Sequence, residues 1–513
     1  MERLQVLELE WWYQSSSSIK PELDKEVLQA LRPNKGIRKL HIQSYGGIKS
    51  PDWMEVPTLL TSFSSLRRVS LKDCPNWQVP PCSFLRQLEY LEIDGMPEWE
   101  EWSCPVSWDS LHELTIKHCP KLKKLPLLPR ALRRLHLEEV GISCLHSELD
   151  GCSRVDGGIE TTSSPHSSPP TSAALSRLYI SSCDKLTSII GLLQQHLPDL
   201  VEINIVICQN LVESLPEKGF GHLVSLKRLK LVCCPELTCL LPMQKEEEDA
   251  SAQHLPCSLE VLEISYSGDA MGGWWWTGLQ RLTSIAKLDL RRCPTTVELL
   301  FDRLKRNPHP HLSATLRELL IEGYSRFDHG QQSATSSACS SQLSPPPTLP
   351  LIPHNNVDAS AGVLRAFTSL KQLIIEDSPN FLQKWGGWGL PSSLERLTVD
   401  RDDDLSLEEL SACLHDLISL KSLSFWNFEN LHSLPNLGGL PALETLDISF
   451  SPSINTLEVM SLPTSLKKLI LQHLVNLHSL PDLSACLCSM KLWLVKYRGM
   501  PAGIMLKEHV HVS

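Results

Sequence analysis

Apolar residues in this chain recur in one short phrase, L-x-x-L-x-L, from the first turn to nearly the last. It reads Leu4, Leu7, Leu9; then Leu66, Val69, Leu71; then Leu226, Leu229, Leu231; then Leu466, Leu469, Leu471. About eighteen copies occur, most of them about 21 to 33 residues apart. Side chains alternate along a strand, so the leucines mark an inward side and the x positions an outward one. A phrase of this kind at this period predicts a leucine-rich-repeat solenoid. Each copy supplies one parallel strand, and neighbours stack into a continuous core. The expected fold is an α/β repeat solenoid, a horseshoe with its parallel sheet on the concave face. Loops or short helical turns are expected on the convex face, because little helical periodicity lies between the strands.

Two further phrases sharpen this. Several copies continue into Cys-Pro, as at Cys74-Pro75, Cys119-Pro120, Cys234-Pro235 and Cys293-Pro294, while Cys183 and Cys208 hold the same place without proline. Leucine-rich repeats put Asn or Cys in that slot, under the turn that leaves the strand. A leucine-proline step precedes other strands, as at Leu390-Pro391 and Leu462-Pro463, where a residue without an N–H interrupts no ladder. The rhythm breaks twice, between Leu132 and Leu175 and between Leu316 and Leu370. Both gaps are rich in Ser, Thr and Pro, a composition too poor in apolar residues to order itself. The domain reading is one solenoid over 1–513, with disordered insertions at 146–174 and 325–366.

The net charge of −11 gives no general reason to expect nucleic acid or an anionic membrane as partner. No stretch approaches the roughly 18 apolar residues of a membrane span, and Met1 to Trp12 has no signal-peptide pattern. Seventeen cysteines occur without any C-x-x-C pair, and no N-x-[ST] sequon occurs. Reduced structural thiols in the cytosol or nucleus are expected. Phosphate-cradling loops and zinc-protease or nucleophile-elbow motifs are missing. The pairs His309/His311 and His509/His511 have no further ligands nearby. No enzyme, cofactor or metal site is expected. The first strand begins at Leu4 with no capping element before it. The expectation is a truncated gene product or an absent preceding domain.

The repeats that end in Cys-Pro resemble the C-terminal repeat region of plant intracellular nucleotide-binding immune receptors. So does the phrase from Leu40 to Gly47, followed by Pro51-Asp52-Trp53, which is similar to one near the start of that region in the coiled-coil class. Leu431 to Pro435 and Leu477 to Pro481 match the same style. The resemblance implies a longer protein with a coiled-coil domain and a nucleotide-binding switch ahead of these repeats. It implies that the repeats hold the switch inactive and sense a pathogen effector, or a host protein altered by one. The partners implied are therefore proteins, including the nucleotide-binding domain of an intact receptor. A substrate-recruiting adaptor of a ubiquitin ligase is the alternative, and it needs an F-box-like segment that does not precede Leu4.

Binding is expected on the outward strand positions. Trp426, Phe450 and Trp493 lie there in the last repeats, and exposed aromatics suit contact hot spots. Trp11 takes the corresponding place in the first repeat, and Trp274, Trp275 and Trp276 are expected on a convex loop. The residue after the first leucine of five successive repeats reads Lys371, Glu395, Lys421, Glu444, Lys467. Strands about 4.8 Å apart would set these side chains in one row of alternating sign.

Overall fold

The structure is a computed structural model. It describes the chain from residue 4 to residue 495, apart from 14–18, 35, 56–64, 79–86, 103–107, 146–173, 213–218, 236–254, 267–278, 280–281, 307–309, 324–361, 387–388, 403–404, 458–460 and 480–490. The chain divides into two compact units, Met1–Leu288 and Asp289–Ser513, and the division falls within β11 (Lys287–Arg291).

The first unit holds β1 (Val6–Glu10), β2 (Lys39–Gln43), β3 (Arg68–Lys72), β4 (Tyr90–Asp94), β5 (Glu113–Cys119), β6 (Arg134–Val140), β7 (Arg177–Ser181), β8 (Glu202–Val206), β9 (Arg228–Val232) and β10 (Val261–Ser265). Each pairs in parallel with the next, one residue for one. The second unit holds β12 (Glu318–Glu322), β13 (Gln372–Glu376), β14 (Arg396–Asp400), β15 (Ser422–Trp426), β16 (Thr445–Ser449), β17 (Lys468–Gln472) and β18 (Lys491–Val495), paired in the same way. Both units are leucine-rich-repeat solenoids with a parallel sheet. From β2 to β17 the second and fourth residues of each strand face the core, as Leu91 and Ile93 or Leu397 and Val399 do, and are almost wholly buried, while Leu7 and Leu9 of β1 are half-buried. Stacking these apolar side chains between repeats removes them from water, at roughly 1.5–3 kcal/mol for each fully buried Leu or Ile.

The slot after each strand ties one repeat to the next. The Cys74 and Cys119 thiols donate to the carbonyls of Lys72 and Lys117, at 3.2 and 3.1 Å. The same sulfurs accept the backbone N–H of Tyr45 and Met96, the residues in the corresponding slot one repeat earlier. Burial pushes both thiols up to about 12, so they stay protonated. Among the described residues these cysteines are free thiols.

Just before this slot the chain passes through the left-handed region. The residue after the fifth strand position has positive φ at every strand from β2 to β17, as at Asp73 (φ 51°) and His473 (φ 54°). That conformation costs roughly 1–2 kcal/mol for an L-residue. It is held because the N–H of that residue extends the ladder by one bond, as from Asp73 to the Asp94 carbonyl at 2.8 Å. Glycine fills the place only at Gly95 and Gly323.

Two expectations need correction. The connections between strands are not confined to short turns: Pro294–Arg306 is a helix of 13 residues. Its Val297, Leu300, Phe301 and Leu304 are buried, the i, i+3, i+4, i+7 stripe of an amphipathic helix. The span 325–366 ends too late, because Val363–Ala366 forms a 3-10 turn whose Leu364 is fully buried. Residues 325–361, nearly all of 146–174 and Trp274 to Trp276 lie outside the described residues, as do His309, His509 and His511.

Candidate protein-recognition face

Three outward positions per strand, together with the left-handed residue that follows, form the exposed face of each sheet. The row from Lys371 to Lys467 lies one residue before the strands. There each backbone carbonyl from Lys371 to Glu444 accepts two N–H groups from the next repeat, as Lys371 does from Glu395 (2.8 Å) and Arg396 (2.9 Å). This fixes where the side chains start. Glu395 reaches both neighbours, Lys371 at 2.9 Å and Lys421 at 2.8 Å, while Glu444 turns to Lys467 at 2.7 Å. The two lysine ammonium groups, Lys421 first, hold the Glu395 carboxyl down at about 2. The three lysines are exposed and the two glutamates partly so, and such pairs add little to stability.

The aromatic positions fare differently from one another. Trp426 takes the fifth position of β15, in register with Asp400 and Ser449. It is half-buried, and its indole Nε1 is covered without a hydrogen-bond partner among the described residues. Nearby Ser424 and Ser449 are only 9% and 3% exposed although they point outward. Trp426 therefore packs within the array more than it projects. Phe450 is not a strand residue: it follows β16 with φ 55°, which turns its ring to solvent at 48% exposure and stacks it on His473 at 4.3 Å. Trp493 holds the third position of β18, in register with Ile470, and its side chain is outside the described residues. Three strands separate Trp426 from Trp493, about 14 Å. Trp11 lies just past β1, and its ring packs edge-on against Tyr45 at 5.3 Å.

The structure adds two clusters that the apolar pattern did not mark. In the second unit, Glu322, Glu376 and Asp400 follow one another at the fifth strand position. Arg291 reaches Asp289 (2.9 Å) and Glu322 (3.3 Å), and Arg292 reaches Asp377 (2.6 Å). Glu376 is left between like charges. Burial first, then Glu322 and Asp400, push its carboxyl above the usual range against the opposing pull of Arg291. The signal was legible as three repeats ending in Glu or Asp. In the first unit, His136 and Tyr179 meet edge-on at 4.2 Å on the midline of β6 and β7. Burial pushes the His136 imidazole below its ordinary value. Among the described residues no three His, Cys, Asp or Glu side chains are grouped to hold a metal ion, and no helix is long and apolar enough to cross a membrane.

Residues 1–96 match the family described as R13L1/DRL21 LRRs. The disease resistance RPP13-like protein 1 of Arabidopsis thaliana is 28% identical over a stretch covering 27% of this chain and 18% of that protein. The disease resistance proteins RGA1 and RGA4 of Solanum bulbocastanum are 34% and 31% identical, over 21% and 26% of this chain and 11% and 13% of their own lengths. The matched stretches thus span less than a fifth of these relatives. Among solved structures, a leucine-rich-repeat protein of Leptospira interrogans is 14% identical with a TM-score of 0.42, over 94% of this chain and 98% of that one. The leucine-rich-repeat domain of the type III effector XopL is 21% identical with a TM-score of 0.35, over 58% of this chain and 79% of that one. The strand register described above, and not these two likenesses, establishes the fold.

Proposed function

We propose that this leucine-rich-repeat region, of the plant disease-resistance type, is the protein-recognition and restraining part of an intracellular immune receptor. It senses a pathogen effector, or a host protein changed by one, and it holds the nucleotide-binding domain of the intact receptor inactive. It works in the cytosol or nucleus and carries out no chemistry of its own. The observation that carries this reading is the exposed sheet face. Its rows of charge and aromatic side chains suit a macromolecular surface. The names of the relatives support the setting in plant defence.

The recognition sites proposed are Trp426, Phe450 and Trp493, with the row from Lys371 to Lys467 beside them. The test starts from proteins retained by the full chain out of plant and pathogen-secreted extracts. Affinity for each is measured before and after changing Trp426, Phe450 and Trp493 together to Ala. Loss of about 2 kcal/mol or more per true hot spot is expected in binding, with the melting temperature little moved. If the triple variant unfolds while its folded fraction binds as before, these side chains are packing elements and the assignment is wrong.

A further inference from the structure

The residue before each strand and the first residue of the strand make a rim along the sheet. Over β2 to β6 this rim carries six cations, Arg38, Lys39, Arg67, Arg68, Arg133 and Arg134, against two carboxylates, Glu89 and Glu113. The whole chain carries −11, so positive charge gathers here against the trend. Two of the six cations are paired, Arg67 with Glu89 at 3.4 Å and Arg134 with Glu113 at 3.1 Å. Arg68 lies over the Tyr90 ring at 5.7 Å. Among the described residues no carboxylate pairs with Arg38, Lys39, Arg68 or Arg133. Arg38 is tied closely to the next repeat: its carbonyl accepts the N–H groups of Arg67 (2.9 Å) and Arg68 (3.1 Å). Three of these unpaired cations, Arg38, Lys39 and Arg68, therefore stand at two adjacent strands about 4.8 Å apart, where like charges repel until an anion joins them, and Arg133 stands at β6, three strands further along.

The other end of the same strands has the opposite sign. Its fifth and following positions carry Asp73, Asp94, Glu138 and Glu139 against Lys72, Lys117 and His118, the last paired with Asp94 at 2.6 Å. Both lysines are already engaged, Lys72 by Glu92 at 2.9 Å and Lys117 by Glu138 at 2.8 Å. About 13 Å of strand separates the two rims. A nucleic-acid duplex carries negative charge along its whole length and is wide enough to meet the acidic rim too. A narrow anionic polypeptide can follow the basic rim alone. Guanidinium groups, three of the four unpaired cations, also match carboxylates two bonds at a time.

We propose that the strand-opening rim of β2 to β6 docks an acidic protein segment, a run of Glu and Asp whose carboxylates engage Arg38, Lys39, Arg68 and Arg133. This surface is distinct from the aromatic positions of the second unit, so either assignment can fail alone. The test is fluorescence anisotropy on the full chain with three labelled probes: a short Glu-Ser peptide, its Gln-Ser counterpart and a single-stranded RNA of equal charge. The Glu-Ser peptide should bind, weaken as salt is raised, and outbind the other two. The double change R38E/R68E should weaken it about tenfold or more. The same charge change at K121E/K123E, where Lys121 and Lys123 already pair with Glu98 and Glu100, should not. A thermal melt of the milder R38Q/R68Q guards against misfolding, and this variant should also bind more weakly. RNA binding as tight as the peptide, equal binding of the Gln-Ser probe, or equal loss in K121E/K123E overturns the proposal. So does binding that survives R38E/R68E unchanged.

Discussion

The turn that leaves each strand is made with sulfur throughout much of the first unit, and with oxygen or hydrocarbon through most of the second. Cys74, Cys119, Cys183, Cys208 and Cys234 fill the slot in the first, while Ser378, Asp402, Phe428, Ser451 and Leu474 fill it in the second. The serines do what the thiols do. Ser378 and Ser451 donate to the carbonyls two residues back at 2.8 and 3.2 Å, and Ser451 accepts the N–H of Phe428 at 3.2 Å. Asp402 accepts the N–H of Asn380 at 3.3 Å. Phe428 and Leu474 fill the volume alone, each 1% exposed. The slot therefore requires burial first and a donor-acceptor atom second, which is why Cys, a small apolar residue with a weak donor, serves so often.

Substitution can separate these two requirements. Cys119→Ala leaves the Met96 N–H and the Lys117 carbonyl without the partner they have now, and a loss of about 1–3 kcal/mol is expected. Cys119→Ser should cost clearly less, since the second unit uses serine in the same geometry, and Ser451→Ala should behave like Cys119→Ala. Urea unfolding of the three variants checks this. Equal losses for Cys119→Ala and Cys119→Ser would mean that the hydrogen bonds carry no weight.

A smaller contrast concerns two half-buried carboxylates. Glu92 in the first unit is opposed by burial, but hydrogen bonds from Lys72 and Ser70 outweigh it and hold its carboxyl below the usual range. Glu376 in the second unit is pushed above it. A depressed carboxyl contributes stability that is present above its unfolded value, about 4.3, and lost as pH falls through the folded one. A raised carboxyl contributes stability present below that value and lost as pH rises through the folded one. Glu92→Gln should therefore lower the melting temperature at pH 7, and Glu376→Gln should raise it, with both differences shrinking below about pH 4. Shifts of the same sign at neutral pH would break the contrast.

The smallest expected effect lies in the charge row. Glu395 bridges two lysines and Glu444 only one. Glu395→Lys should depress the melting temperature more than Glu444→Lys, and both losses should fade in high salt. Equal or salt-independent shifts would show that the pairs seen here are not coupled to folding.

Much of this was legible in the sequence. The strand positions follow from the leucine phrase, because a two-residue alternation and a fixed repeat leave little choice of register. The sulfur slot and the alternating row followed from position alone. Which neighbour each lysine chooses did not: Lys421 has a glutamate on either side and takes Glu395. Phe450 owes its exposure to its left-handed backbone and not to strand alternation, which would turn the residue after Ser449 inward. Trp426 is half-buried in register with the buried Ser449, a cross-strand neighbour that a single-strand reading does not weigh. The helix Pro294–Arg306 carried a readable stripe that the dominance of the shorter repeat hid.

The most direct measurement is oxidative footprinting of the full chain, free and bound to a partner it retains. Exposed side chains on the sheet faces, Tyr266 and Phe450, are 50% and 48% accessible. Apolar side chains in the connections between strands, Leu127, Val224 and Ile418, are 55%, 68% and 63% accessible and serve as internal controls. If the sheet face recognises proteins, the partner should protect Tyr266 or Phe450 and leave the three controls unchanged. Protection of Leu127, Val224 or Ile418, with both face residues oxidised as in the free chain, would contradict it.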